Sequence, residues 1–187
     1  MNPEQEIEII REIKEGNYLR FEDIIEAYQN RLMLFIYRVV KDEDDARDLC
    51  QDAFFKAYTS IKSFKGKSKF STWLFQIAYN LSLNFIKKNK RQGGIEEKHL
   101  KSNLTPSGNH SLKLETEELN ILIETIMMEI PSKYRLALHL FFKEGKKYQE
   151  IGTIMGISVN SVKSHIFRGK ALIKQRLTKI HQLQLKT

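Results

Sequence analysis

The sequence predicts an all-α protein: two small helical domains joined by a flexible linker, the C-terminal one a helix-turn-helix. Three observations predict it. Apolar residues recur every three or four positions through the long segments, the spacing that builds one face of an α-helix. A middle stretch, Gln92 to Glu115, loses that period and gathers Gly93, Gly94, Ser102, Pro106, Ser107 and Gly108, the composition of a flexible polar connection. Near the C terminus, Tyr148 to Lys170 sets two apolar-periodic runs on either side of a glycine. The expected units are therefore residues 1–92 and 116–187, with residues 93–115 as the linker.

Composition narrows the classes. With 187 residues, 41% of them hydrophobic, the chain can bury one or two modest cores. A formal net charge of +8 favours a polyanionic partner. The single cysteine, Cys50, cannot form an intramolecular disulfide, and no His/Cys cluster has metal-ligand spacing, so neither a metal nor a cofactor is expected. Cys50 reads as a small buried hydrophobe rather than a nucleophile, since no base stands near it in the sequence. No apolar run is long enough to span a bilayer, and the acidic start from Met1 to Glu8 is unlike a secretory signal. No membrane insertion and a cytoplasmic location are expected.

In chain order, Glu4 to Lys14 alternates charges around Ile7, Ile9, Ile10 and Ile13, an amphipathic turn or two that Gly16 and Asn17 stop. A longer helix from Phe21 to about Val40 carries Phe21, Ile24, Ile25, Tyr28, Leu32, Phe35, Ile36 and Val39 as its core face. From Lys41 to Ser60 the chain turns acidic, with Asp42, Glu43, Asp44, Asp45, Asp48 and Asp52 against Lys41, Arg47 and Lys56. Asp44 and Asp45 suit the start of a helix that turns Ala46, Leu49, Ala53, Phe54 and Ala57 inward. Its outer stripe is Asp45, Asp48, Gln51, Asp52 and Lys56. That stripe reads either as a solvated face with pairs such as Asp52 to Lys56, or as a docking surface for a basic partner protein.

From Ile61 to Arg91 the sign reverses: Lys62, Lys65, Lys67, Lys69, Lys87, Lys88, Lys90 and Arg91 stand without one acid. Gly66 marks a basic loop, Ser71 or Thr72 can cap the next helix, and Trp73 to Lys88 is that helix. Rings among cations suit unpaired bases, which stack on the rings while the cations follow the backbone. Trp73, Ile77, Leu81 and Phe85 are spaced by four and read largely as core. The loop aromatics Phe64 and Phe70 and the polar Asn80 and Asn84 are the better candidates for nucleic-acid contact.

In the second half, Leu119, Ile123, Ile126, Met127 and Ile130 form one helix, and Pro131 opens another through Leu136, Ala137, Leu140 and Phe141 towards Gly145. Then Ile151, Ile154 and Met155 recur at helical spacing, Gly156 can take a positive φ, and Ser158 can cap a helix whose apolar positions are Val159, Val162 and Ile166. Asn160, Ser161, Ser164, Phe167 and Arg168 fall on the opposite face, with Lys163 on its flank. Short polar groups with one long guanidinium suit a helix lying in a major groove; the plainer alternative is an ordinary pair of packed core helices with a solvated face.

Together the blocks resemble one family. The acidic segment Asp-Ala-Arg-Asp-Leu-Cys-Gln-Asp-Ala-Phe-Phe-Lys-Ala-Tyr, then Phe-Lys-Gly-Lys-Ser-Lys-Phe-Ser-Thr-Trp-Leu-Phe-Gln-Ile-Ala-Tyr-Asn, then the helix-turn-helix, resembles an extracytoplasmic-function sigma factor of bacterial RNA polymerase from about Asn17 to Leu177. The resemblance implies that Asp45, Asp48, Gln51 and Asp52 dock on the clamp coiled coil of core RNA polymerase, with the flap as a second contact. It implies that Phe64, Lys65, Lys67, Lys69 and Phe70 lie in the loop that receives a base flipped from the minus-ten element. Asn80 would stand beside that base to read it, and the helix from Trp73 to Lys90 would supply duplex and backbone contacts through Asn84, Lys87, Lys88 and Arg91. Asn160, Ser161, Lys163, Ser164, Phe167 and Arg168 would read the minus-thirty-five element. Family members often carry arginine where this chain has Lys163 and His165, which weakens the expectation of bidentate guanine reading. An anti-sigma factor is a further expected partner; the tether would either thread the polymerase channels, with Glu96 and Glu97 mimicking nucleic acid there, or be a passive linker, which its composition suits equally well.

Two other classes stay open on the sequence alone: a conventional DNA-binding regulator with a palindromic operator, and a nucleic-acid enzyme using the acids of Asp42 to Asp52 for Mg²⁺. The acids sit on successive turns of one surface helix beside cations, which argues against the enzyme. A single fused core with the aromatic loop sealed inside would count against the family reading.

Overall fold

The computed structural model describes residues 1–91 and 113–184, and every regular element among them is helical. Helix α1 (Pro3–Glu15) starts at Asn2, whose side chain accepts the Gln5 N–H while the Gln5 side chain accepts the Asn2 N–H, and ends at Gly16 with φ 111°. Ile9, Ile10 and Ile13 bury its inner face. Helix α2 (Phe21–Val40) keeps the expected bounds and runs through the core on Ile24, Leu32, Phe35 and Ile36. Helix α3 (Glu43–Ser60) is capped two residues earlier than Asp44, the first cap the sequence suggested: the extended Asp42 accepts the N–H groups of Asp44 and Asp45, each at 3.1 Å. Buried Cys50 behaves as the small hydrophobe expected, its thiol pushed up to about 11 by burial.

Helix α4 (Phe70–Arg91) corrects a second boundary. Neither Ser71 nor Thr72 caps it, because Phe70 already belongs to its first turn and both hydroxyl residues are buried there. The Lys69 carbonyl takes the first N–H groups instead, from Thr72 at 3.0 Å and Trp73 at 3.2 Å. Helices α2, α3 and α4 pack on one another, and α1 lies against α2 and the 3₁₀ turn Ile61–Ser63.

The second half is α5 (Lys113–Glu129), α6 (Ser132–Leu138) continued by a π-helical turn His139–Lys143, α7 (Tyr148–Met155) and α8 (Val159–Gln184). Helix α8 packs on α5, α6 and α7. The linker residues 93–112, Glu96 and Glu97 among them, lie outside the described residues.

The two helical halves do not stand apart. Helix α4 packs on α7 and α2 on α6, so the hydrophobic core continues across the boundary. Phe35 gathers Phe75 at 5.1 Å, His139 at 5.8 Å and Tyr79 at 6.5 Å. Around those rings the seam is polar. Arg38 bonds His139 and Glu124, and the Arg135 Nε donates to the Arg38 carbonyl at 2.9 Å. Another Arg135 nitrogen reaches the Met128 carbonyl at 2.8 Å, at the C-terminal end of α5 where a cation is favoured. Burying a guanidinium is costly unless its donors are satisfied, and burial with Arg38 alongside pushes the Arg135 pKa down to about 10. Arg31 pairs with Glu144 at 2.5 Å, and buried Lys146 donates to Ser71. These long polar side chains gave no sign in the sequence that they would meet.

Candidate nucleic-acid and partner-protein interfaces

The first surface is the outer face of α3. Leu49, Ala53, Phe54 and Ala57 turn inward, which leaves Asp48, Gln51 and Asp52 exposed and Asp45 half-buried beside them. Arg47 is drawn to the start of the helix by Asp44 at 3.1 Å and Glu43 at 3.3 Å, so it does not neutralise the stripe. The pair expected between Asp52 and Lys56 is not formed among the described residues, and Lys56 is exposed. Reading the sequence for acids alone overlooked Phe55. Only one ring of Phe54-Phe55 can face inward, and the other stands 69% exposed, one turn beyond Gln51 and Asp52. An exposed ring in a polar rim is the composition of an interface centre rather than of a solvated face.

The second surface is built on α4 and the loop before it. Lys65, Lys67 and Lys69 are exposed, and Gly66 takes φ +68°, a left-handed turn that a side chain would strain. Phe64 and Phe70 are not the exposed stacking rings that their loop position suggested. Phe64 is 9% and Phe70 1% exposed. Phe64 meets Trp73 at 5.2 Å and Phe70 at 5.6 Å, and Phe70 meets Tyr28 at 6.2 Å. The rings are sealed in a core that continues into the second half, so the fused arrangement that would count against the family reading is met in part; the cationic loop above the rings stays exposed, and Trp73 is half-buried. Beyond them Asn80 and Asn84 are exposed, and Asn84, Lys87, Lys88 and Arg91 line one shallow depression.

The third surface is the helix-turn-helix of α7 and α8. Gly156 turns the chain at φ +64°, and Ser158 accepts the Ser161 N–H at 3.1 Å, the cap that the sequence predicted. Ser161 spends its hydroxyl on Ser158 at 2.9 Å, which makes it part of the cap as well as of the outer face. Val162 and Ile166 are buried, Val159 is half-buried, and Asn160, Lys163, Phe167 and Arg168 are exposed, with Ser164 half-buried. His165 does not reach the groove-facing side. Its ring packs edge-on against Tyr134 at 5.4 Å, and burial first, with Lys133 and Arg168 next, lowers its pKa. The Tyr134 hydroxyl of α6 has its pKa lowered, mainly by the Arg168 guanidinium beside it. Among the described residues no three His, Cys, Asp or Glu side chains are grouped to hold a metal ion, and no helix is long and apolar enough to cross a membrane.

An acidic stripe, a cationic loop leading into an amide-lined helix, and a helix-turn-helix on one all-helical chain are the surfaces that suit a two-part DNA-binding factor with a protein partner. Comparison with known proteins assigns the class more closely. The Sigma-70 region 2 family matches residues 24–92 and the Sigma-70, region 4 family residues 121–173. The chain is 32% identical over 176 residues to the ECF RNA polymerase sigma factor SigW of Bacillus subtilis, covering 90% of this chain and 94% of the relative. It is 29% identical over 185 residues to the RNA polymerase sigma-H factor of Pseudomonas aeruginosa, covering 95% and 96%. Its fold matches the sigma factor RpoE in complex with the anti-sigma factor NepR from Bartonella quintana, with TM-score 0.69, 23% identity, and 84% and 96% of the two chains covered. The chain belongs to the extracytoplasmic-function sigma factors of RNA polymerase. It is thus a transcription initiation factor, which binds core polymerase and promoter DNA, and not an enzyme.

Proposed function

We propose that this sigma factor divides its work among three faces. The α3 stripe of Asp45, Asp48, Gln51 and Asp52, with Phe55, docks on the clamp coiled coil of core RNA polymerase, and the second half meets the flap. The loop of Lys65, Lys67 and Lys69, with Asn80 and the Asn84, Lys87, Lys88 and Arg91 depression, holds the melted minus-ten strand. Asn160, Ser161, Lys163, Ser164, Phe167 and Arg168 read the minus-thirty-five duplex.

The observation that carries this reading is the segregation of charge on the first half: the exposed acids on α3 keep no partner among the described residues at Asp48 or Asp52, while every charged side chain from Lys62 to Arg91 is a cation. A face that repels phosphate and a face that attracts it suit a protein held by a protein on one side and by DNA on the other. Control by an anti-sigma factor is part of the proposal, supported by the neighbour solved with NepR. The place of action is the cytoplasm, where the polymerase is.

Run-off transcription on genomic fragments tests the whole. Core polymerase with this chain is expected to initiate at promoters that core alone ignores. Initiation that survives Asp48→Lys with Asp52→Lys would remove the docking face from the proposal.

A further inference from the structure

Helix α1 lies before the matched region 2, which begins at residue 24, and none of the three surfaces uses it. It is nevertheless firmly held. The capping box at Asn2 and Gln5 fixes its start, Ile9, Ile10 and Ile13 bury its inner face, and Tyr28 of α2 bonds Glu6. Its last turn reaches the loop. The Lys14 ammonium donates to the Phe64 carbonyl at 2.5 Å and lies 5.3 Å from the centre of the Phe64 ring.

Phe64 is where the 3₁₀ turn Ile61–Ser63 gives way to extended backbone, and it is pinned on three sides. Its N–H donates to Ile61 at 3.1 Å, its ring meets Trp73, and its carbonyl takes Lys14. The far end of the loop is pinned at Lys69, whose carbonyl receives the first N–H groups of α4. Residues 65–69 therefore span two fixed points, with left-handed Gly66 between them. A loop that must hold an extruded base against restacking works only if its ends are already ordered, since ordering them at binding would cost affinity. A charged donor to the carbonyl at one end supplies that order from a helix fifty residues away in sequence.

We infer that Lys14 is a positioning residue for base capture, through which α1 fixes the start of the loop before the promoter opens. It touches no DNA itself, and the inference rests on the loop being the minus-ten surface.

The test uses holoenzyme and a promoter fragment recovered by run-off transcription, prepared as a fork with the minus-ten strand unpaired. Lys14→Met should weaken fork binding and slow opening of the duplex form by about tenfold, the worth of one charge-assisted hydrogen bond. Lys14→Arg, which can still reach the carbonyl, should restore most of it. Affinity for core polymerase should stay near wild type, and the thermal midpoint should fall by no more than a few degrees, the cost of the lost bond alone. The loss should vanish on a fork whose flipped nucleotide is abasic, because nothing is then left for the loop to hold. Equal fork binding by wild type and Lys14→Met would overturn the inference, and so would a loss of the same size on the abasic fork. If wild type itself does not distinguish the abasic fork, the loop assignment is wrong, whatever Lys14 does.

Discussion

Arg38 of α2 donates to Nδ1 of His139, across the seam between the two halves. A guanidinium can only donate, so this nitrogen carries no proton and the ring is neutral in the packed state. His139 faces Arg38 and Arg31 from α2 and Lys143 and Glu144 from its own turn; Glu124 of α5 takes the other Arg38 nitrogen. Its Nε2 has no hydrogen-bond partner among the described residues and stands 3.7 Å from Glu144.

Burial first, and Arg38 next, hold the His139 pKa well below 6.5. A free imidazole takes its proton near that value while the packed one does not, so the unpacked state binds more protons as pH falls. The packing is therefore fully stable above about pH 7 and weakens progressively below about 6.5. Melting curves at pH 7.5 and 5.5 should show a drop for wild type, and a smaller one for His139→Gln, whose amide oxygen can accept from Arg38 without titrating.

The packed halves should also come apart in use. Two promoter elements roughly 25 base pairs apart are separated by about 85 Å of duplex, whereas a compact chain of this length has a radius of gyration of about 16 Å and a width near 40 Å. Glu150 of α7 meanwhile engages Lys69 at 3.7 Å and Thr72 at 3.2 Å, at the head of the proposed minus-ten surface. Small-angle scattering of the free chain should give the compact value. Arg31→Glu, which sets two acids against each other at Glu144, should enlarge it, and adding Glu144→Arg should bring it back. A wild-type chain already extended at moderate salt would contradict the packed arrangement.

What the sequence made legible was what periodicity encodes. Phe35, Leu32, Ile24 and Val162 fall on repeating apolar faces, and each is in the core. Gly156 and Ser158 carry turn and cap chemistry in two residues, and both act as read. Phe64 and Phe70 were misplaced because rings beside lysines satisfy two physical situations equally, a stacking platform and a small aromatic core; only the positions of Tyr28 and Trp73 decide between them. The seam was illegible for another reason. Arg38 and His139 are 101 residues apart, and a polar residue in an amphipathic helix reads as solvated until its partner is known. Phe55 was missed because its neighbour Phe54 already satisfied the inward position.

On the docking face, Asp48→Lys with Asp52→Lys should abolish measurable association with core polymerase through like-charge juxtaposition. Phe55→Ser should weaken association by about tenfold, the scale of a contributing interface ring. Since these side chains are exposed, the thermal midpoint should move little in either variant. Titration of labelled chain with core polymerase measures both, and unchanged affinity for Phe55→Ser would return that ring to the role of an isolated surface residue.

In the turn of the helix-turn-helix the constraint falls on Gly152, where a Cβ would stand 2.9 Å from the Ile157 carbonyl oxygen. That oxygen is backbone and cannot rotate away. The Ile157 N–H is itself bonded to the Gly152 carbonyl at 3.0 Å, so a methyl must push the turn off the helix it closes. Gly152→Ala should cost about 1–3 kcal/mol, as overpacking does, and tilt α8 against α7. At Gly156 the space is open and only the left-handed backbone objects. Gly156→Asn should therefore be milder than Gly152→Ala, reversing the order expected from turn propensity alone. Denaturant melts should rank the two variants in that order. Upstream duplex binding should fall with Gly152→Ala while fork binding at the minus-ten end holds, because the displaced helix presents Lys163, Phe167 and Arg168 and not the loop.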